Sequence, residues 1–198
     1  MFPIFYTTND KIFVLRKCLK IKNKGKVFED DWKSSVPEYC LNIRLPDPPQ
    51  SFTQRSDTRF SHKNPCDFVM FSSKHRLFLP TELKSTKHKS ISVQLTKEDN
   101  PNSMIKYHQI KALTDMSKYD YVESGFVLNF RNEEENSQIT YWQSIGNFNK
   151  MMKEVNKKSF NEIDLLVYGA INVTGQKKIT HYTWNVNELL DEINKSYE

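Results

Sequence analysis

The chain has 198 residues, 29 of them basic and 24 acidic, for a formal charge of +5. That length can bury a core without disulfide or metal staples, and a 13% aromatic content led by Phe and Tyr excludes wholesale disorder. No apolar run approaches the roughly 20 residues a membrane helix needs, and Met1-Phe2-Pro3-Ile4-Phe5-Tyr6 lacks the basic start and long apolar stretch of a secretory signal, which predicts a cytoplasmic protein. Cys18, Cys40 and Cys66 are odd in number and widely spaced, so free thiols are expected and a zinc site is not. The basic excess suits a polyanion partner without demanding one. Its distribution says more: Lys11 to Lys26 carries seven basic residues and no acidic one, and Arg44 to Lys89 is also basic.

Residues 1–22 read as an N-terminal extension, β-leaning around Lys11–Leu15. The first clear element runs from Asn23 to Val36, where Phe28, Trp32 and Val36 recur at the helix period, and Pro37 ends it. Tyr39, Leu41, Ile43 and Leu45 then alternate with Cys40, Asn42 and Arg44, the pattern of a half-buried strand with the apolar set inward. Pro46-Asp47-Pro48-Pro49 breaks it and opens a polar loop over 46–64, long enough to suggest function.

Strands are expected at Cys66–Phe71, Arg76 to about Leu83, and Ser90–Leu95. Met104–Lys118 is an amphipathic helix, Glu123–Phe130 and Gln138–Trp142 are strands, and Ser144–Lys157 is a helix. Ser159 lies three residues before Glu162, a capping-box spacing for a short helix. Lys178–Trp184 reads as a strand and Asn187–Asn194 as a closing helix. This order implies a mixed sheet flanked by helices, an α/β or α+β layer architecture.

The informative stretch is Pro65-Cys66-Asp67-Phe68-Val69-Met70-Phe71, followed by Leu77 to Pro80 and Thr81-Glu82-Leu83-Lys84-Ser85-Thr86-Lys87. Residues two apart on a strand share a face, so Glu82 and Lys84 project together and a paired neighbour brings Asp67 beside them. Two carboxylates about 4 Å apart repel by around 4 kcal/mol at an effective dielectric near 20. A divalent ion removes that conflict, and hard oxygen ligands favour Mg²⁺ or Mn²⁺. Such an ion on a phosphate, with Lys84 beside the attacking water, makes a phosphodiester hydrolase. The same spacing also suits a surface ion pair of Glu82 with Lys84 and a turn residue at Asp67, because Asp-x(14)-Glu-x-Lys is a loose pattern.

From Asn23 to about Tyr141 the chain resembles the RecU-type Holliday junction resolvases, in particular their phage-borne relatives within the PD-(D/E)XK nuclease superfamily. Five pieces carry the likeness in family order. Asn23-Lys24-Gly25-Lys26-Val27-Phe28-Glu29 resembles the first-helix motif, and Arg59-Phe60 through Asn64-Pro65-Cys66-Asp67 the entry to the catalytic strand. Glu82-Leu83-Lys84-Ser85-Thr86-Lys87 with Lys89-Ser90 resembles the active-site strand and turn. Ile105-Lys106-Tyr107-His108-Gln109 resembles the His-Gln helix, and Gly125-Phe126-Val127-Leu128-Asn129-Phe130 the next core strand.

The resemblance implies a restriction-endonuclease-like α/β fold, a mixed β-sheet flanked by helices with a protruding loop after the first core strand. It divides the chain into the extension 1–22, a nuclease core at 23–158, and a C-terminal helix-strand-helix appendage at 159–198 packed on the same domain. It implies a homodimeric, Mg²⁺-dependent (or Mn²⁺-dependent) endonuclease acting on branched double-stranded DNA, with recombination proteins as further partners and no membrane. Asp67 and Glu82 would hold the metal with the Leu83 carbonyl. Lys84 would handle the water, and Glu29 would complete the acidic cluster. Arg44, Arg55, Arg59, Lys63, Lys87, Lys89 and Gln109 would contact DNA, while His108 is expected to be a packed core histidine. Pro46–Lys63 falls where the family carries its junction-entering stalk, with Phe60 an anchor of that loop. Two departures stand out: Cys66 replaces a Thr found in many relatives, and Pro80 inside the catalytic strand demands an edge or a bulge. The alternatives are a phage nuclease for flaps or other DNA, and a DNA-binding accessory protein that keeps the fold without the chemistry.

Overall fold

The computed structural model of the chain describes residues 23–46, 64–195 and 197. The protruding loop, its Arg55, Arg59 and Lys63, and the extension 1–22 lie outside the described residues. Helix α1 (Lys24–Ser35) starts where Asn23 accepts the Gly25 N–H at 3.0 Å. Strands β1 (Cys40–Arg44), β2 (Phe68–Ser72) and β3 (Leu77–Thr86) follow, then the short β4 (Ser90–Ser92) and α2 (Tyr107–Met116). Strands β5 (Gly125–Asn132) and β6 (Ser137–Ser144) form a hairpin leading into α3 (Ile145–Val155). The chain closes through β7 (Ser159–Asn161), α4 (Glu162–Val167), β8 (Ile171–Asn172), β9 (Gly175–Lys177), β10 (Tyr182–Trp184) and α5 (Val186–Asn194).

The central sheet has the order β1-β2-β3-β5-β6-β8. It is mixed: β3 and β5 run parallel and every other neighbour is antiparallel. This is the α/β architecture that the element order predicts. Strand period then splits the core in two. On one face Leu77, Leu79, Leu83 and Val127 pack against Phe28 and Trp32 of α1 and Leu189, Leu190 and Ile193 of α5. On the other, Phe126, Leu128 and Phe130 pack against Leu113 of α2 and Ile145, Phe148 and Met152 of α3. Each such side chain contributes roughly 1.5–3 kcal/mol by leaving water.

Residues 173–193 enter the first core directly. The Trp184 ring meets Phe28 edge-on at 5.1 Å, and the main-chain N–H of Trp184 donates to Ser35 Oγ at 3.0 Å. A polar chain fastens α5 to the β2–β3 turn: Ser72 Oγ lies 2.8 Å from His75 Nδ1, and His75 Nε2 lies 2.8 Å from Asp191 Oδ1. Lys74 adds an ion pair to the same oxygen at 2.9 Å. Ser72 is wholly buried, so this Ser-His-Asp sequence is a clasp without an exposed nucleophile.

Several sequence expectations are corrected. In β1 the apolar set faces outward: Leu41 and Ile43 are exposed, while Cys40, Asn42 and Arg44 turn toward α1 and are half-buried. Phe71 and Phe78, in register with Leu41, extend that open stripe across three strands. Pro80 lies in a central strand with neither an edge nor a bulge. Phe78 donates to Tyr121 and accepts from Glu123 on the β5 side, and the ladder resumes at Thr81↔Gly125 in the same register. Pro80 occupies the gap between, where its missing N–H breaks no continuous ladder.

Ser90–Leu95 shortens to β4, which pairs with β7 outside the main sheet. The short helix α4 is capped by Asn161 with Asp164, two residues later than Ser159 with Glu162. Lys178–Trp184 is the turn and second strand of the β9–β10 hairpin, closed where the Lys178 N–H donates to the His181 carbonyl at 2.8 Å.

Candidate active site

Asp67 sits one residue before β2, and Glu82 and Lys84 lie on β3, all on the sheet face that carries α2. Phe68 pairs with Thr81, so the next step of the register sets Asp67 against Glu82. The backbone ladder has ended there, and the Asp67 side chain takes over, with Oδ2 accepting the Leu83 N–H at 2.9 Å. Along a strand, the N–H and C=O of one residue point the same way, so the Leu83 carbonyl projects toward Asp67 as well.

Glu82 is 2% exposed. Its Oε1 receives the Lys84 ammonium at 2.6 Å and the Gln109 amide. Gln109 occupies the first turn of α2, where its Oε1 accepts the Lys106 N–H at 2.9 Å. One amide therefore caps the helix and grips the carboxylate. Gln109, given by the resemblance as a DNA contact, is here turned to the buried carboxylate of Glu82. His108 is half-buried beside it and has an interaction partner.

Burial raises both carboxyl groups above their ordinary range. Glu82 is pushed up to about 7, first by desolvation; Lys84 pulls it down while Asp67 pushes it further up. Asp67 is raised by burial, eased by the Leu83 N–H and Lys84, and pushed up again by the charge of Glu29. The contact between the two carboxyls lowers Asp67 and raises Glu82, so of the two Glu82 takes up a proton more readily. Cys66, just upstream, is buried; its thiol is pushed up to about 12 and donates to the Phe68 carbonyl at 3.2 Å, which leaves it inert.

Glu29 on α1 approaches from the opposite face. Its Oε2 is held by Arg44 Nε at 3.0 Å and Lys26 Nζ at 3.2 Å. Its charge reaches Asp67, but its carboxylate is already doubly paired, and Arg44 is committed to it rather than turned outward. Among the described residues no three His, Cys, Asp or Glu side chains converge as a ready metal cage. The donor set that does fit a hard cation is Asp67, Glu82 and the Leu83 carbonyl. Two adjacent desolvated carboxyls repel when both are ionised, and a divalent ion between them relieves that conflict. Lys87 and Lys89 are exposed in the β3–β4 turn, beyond the C-terminal end of the strand that carries Glu82 and Lys84.

One group escaped the sequence reading. Arg131 at the end of β5 donates Nε to Ser85 Oγ at 3.0 Å and Nη1 to Glu133 at 3.0 Å. Ser85 in turn donates to the fully buried Asn129 at 2.7 Å. The signal was the polar alternation Asn129, Arg131 within an otherwise apolar strand.

No protein-family model matches the chain. It is 34% identical over 185 residues to the SPbeta prophage-derived uncharacterized protein YotM of Bacillus subtilis strain 168, covering 87% of this chain and 88% of that one. It is also similar to a solved structure of Hjc, a Holliday junction resolvase from the archaeal hyperthermophile Archaeoglobus fulgidus. That likeness covers 75% of this chain and 92% of the other, at 14% identity and a TM-score of 0.41, and carries no weight by itself.

Proposed function

The chain belongs to the same family as the prophage protein YotM, and from that premise we propose that it is a divalent-metal-dependent endonuclease hydrolysing phosphodiester bonds in branched DNA, of the RecU-type resolvase kind. The observation that carries this reading is the Asp67–Glu82 pair: two carboxyls set opposite each other by the register of adjacent strands, Glu82 buried, with an ammonium 2.6 Å from it. A structural ion pair needs one carboxylate. The second makes the site unstable in its fully ionised form unless a cation enters.

Asp67, Glu82 and the Leu83 carbonyl would hold Mg²⁺ or Mn²⁺, which supplies Lewis-acid stabilisation of a phosphate and a water acidic enough to attack it. The chain's own groups do the rest. Gln109 and the Leu83 N–H fix the two carboxyls, so that little reorganisation is left for the reaction. Lys84, half-buried beside Glu82, orients the attacking water and stabilises the developing anion. Glu29, anchored by Arg44 and Lys26, adds negative potential behind Asp67 and favours the metal-loaded state. Lys87 and Lys89 take backbone phosphates and make binding salt-sensitive. A resolvase acts as a homodimer because a four-way junction presents two equivalent scissile phosphates.

The test is cleavage of labelled four-way junctions, flaps, linear duplex and single strands with Mg²⁺ or Mn²⁺. Symmetric nicks in the junction, absent in chelator and in Asp67→Asn, are expected. Equal cutting of every substrate points to a general phage nuclease, and DNA binding with no metal-dependent product points to an accessory protein.

A further inference from the structure

At the end of the sheet that carries the candidate active site, the turn of the β5–β6 hairpin projects with Glu133, Glu134 and Glu135 all exposed. It divides two clefts. One lies on the side of the catalytic face, lined by Lys87, His88 and Lys89 and also by the acids Glu133, Glu134, Glu135 and Glu162. The other lies on the α1 side, walled by Lys24 and by Lys177, Lys178 and His181 of the β9–β10 hairpin, with Arg131 along its floor.

The second cleft is a built feature. Buried polar groups persist only when hydrogen-bonded, and here the chain Asn129–Ser85–Arg131 runs from the sheet interior to the cleft and fixes the guanidinium there. Its acids are used within the protein: Asp31 accepts the Tyr182 N–H at 3.0 Å and Glu133 pairs with Arg131. Among the described residues, Lys24, Lys177 and Lys178 have no carboxylate partner; Lys178 donates to the neutral Gln176. Ile179, fully exposed between Lys178 and His181, puts an apolar tip at the mouth of this basic surface, the arrangement by which an apolar side chain enters a nucleic-acid groove flanked by phosphate-binding cations.

We propose that this cleft takes the phosphate backbone of a second arm of a branched DNA, while the acidic turn keeps that arm apart from the one at the catalytic face. The inference rests on the branched-DNA reading above and deepens it. A straight duplex crossing the turn would press its phosphates against the carboxylates of Glu134 and Glu135, so linear DNA occupies one side alone. A branch point straddles the turn, with one arm in the basic cleft on the α1 side and the other on the catalytic face. Selection for branched DNA then comes from repulsion of the wrong substrate as well as attraction of the right one.

The experiment measures binding in chelator of a four-way junction and a linear duplex of equal length, between 50 and 200 mM salt. For Lys177→Ala with Lys178→Ala, junction affinity is expected to fall about tenfold while duplex affinity stays within about twofold. The junction's log–log salt slope should become shallower by about 2, at roughly 0.9 for each phosphate that is no longer neutralised. Glu134→Gln with Glu135→Gln should instead raise duplex affinity several-fold and narrow the junction preference. Equal reductions on both substrates, or none on either, overturn the second-arm proposal. A wild-type protein that binds neither substrate, or both alike, overturns the branched-DNA reading itself, so the two failures are distinguishable.

Discussion

Asp67 accepts the main-chain N–H of Leu83 through its side chain, 2.9 Å away, at the point where the β2–β3 ladder runs out of backbone. A carboxylate thus serves as the last rung between two strands. Its position relative to Glu82 is fixed by strand register, and no flexible side-chain choice enters.

The first prediction uses that rung. Asp67→Asn keeps an oxygen for the Leu83 N–H and removes the charge. The fold should survive, with a melting temperature within a few degrees of wild type. Mn²⁺ affinity, read by calorimetry, should fall at least 100-fold, and cleavage at least 1,000-fold, on the order of the 4 kcal/mol such a loss represents. Asp67→Ala should be less stable than Asp67→Asn by about 1–3 kcal/mol, since it orphans the N–H.

The second concerns pH. The Glu82 carboxyl is raised from its ordinary 4.5 to about 7, so the metal-free protein is favoured by the protonated form. That contribution is fully present below about pH 4.5 and is lost as pH rises through 7, amounting to about 3 kcal/mol over the window. Chemical denaturation in chelator should show stability declining between about pH 4.5 and 7 and levelling off above. Mn²⁺ should reverse the decline, and its affinity should climb over the same interval. Glu82→Gln should flatten the curve; an undiminished slope in that variant removes Glu82 as its source.

Gln109 joins the helix start to the buried carboxylate. Gln109→Leu should lower kcat about tenfold and remove the cap of α2, for a loss near 1 kcal/mol. Gln109→Glu keeps an acceptor for the Lys106 N–H but adds a third acid beside Glu82. It should leave kcat depressed and recover stability only as pH falls and the added carboxyl is protonated, which separates capping from carboxylate positioning.

Gly125 opens β5 beside Thr81, and a Cβ there would lie 2.4 Å from the Gln143 carbonyl and 2.9 Å from the Trp142 ring. Backbone and indole cannot both yield, so Gly125→Ala should destabilise by about 1–3 kcal/mol. Urea melts would show this as a lower midpoint with an unchanged m-value.

Much of the sheet was legible because its signals are local. Phe126, Leu128 and Phe130 announced one face of β5, and Glu82 with Lys84 announced a shared direction. What misled was context. The alternation of Leu41 and Ile43 gives the period of β1 but not which side is covered, and the helix that settles it, α1, lies across the Cys40 side. Pro80 looked incompatible with a central strand because a sequence does not show where a neighbouring ladder pauses. The ion pair of Arg44 with Glu29, fifteen residues earlier and 3.0 Å away, leaves no local mark in the sequence. The β9–β10 turn was hidden because Lys177-Lys178 and His181-Tyr182 carry no glycine or proline to mark it.

Trp184 and α5 supply one wall of the packing around Phe28 and Trp32, and α1 is the helix that presents Glu29. The order of synthesis therefore matters. A nascent chain emerging from the ribosome exposes α1 well before its cover, because residues 184–193 lie far downstream of Lys24–Ser35. Such distant pairings slow folding. They also mean that a ribosome-held fragment carries Asp67 and Glu82 well before it has the scaffold that steadies Glu29 behind them.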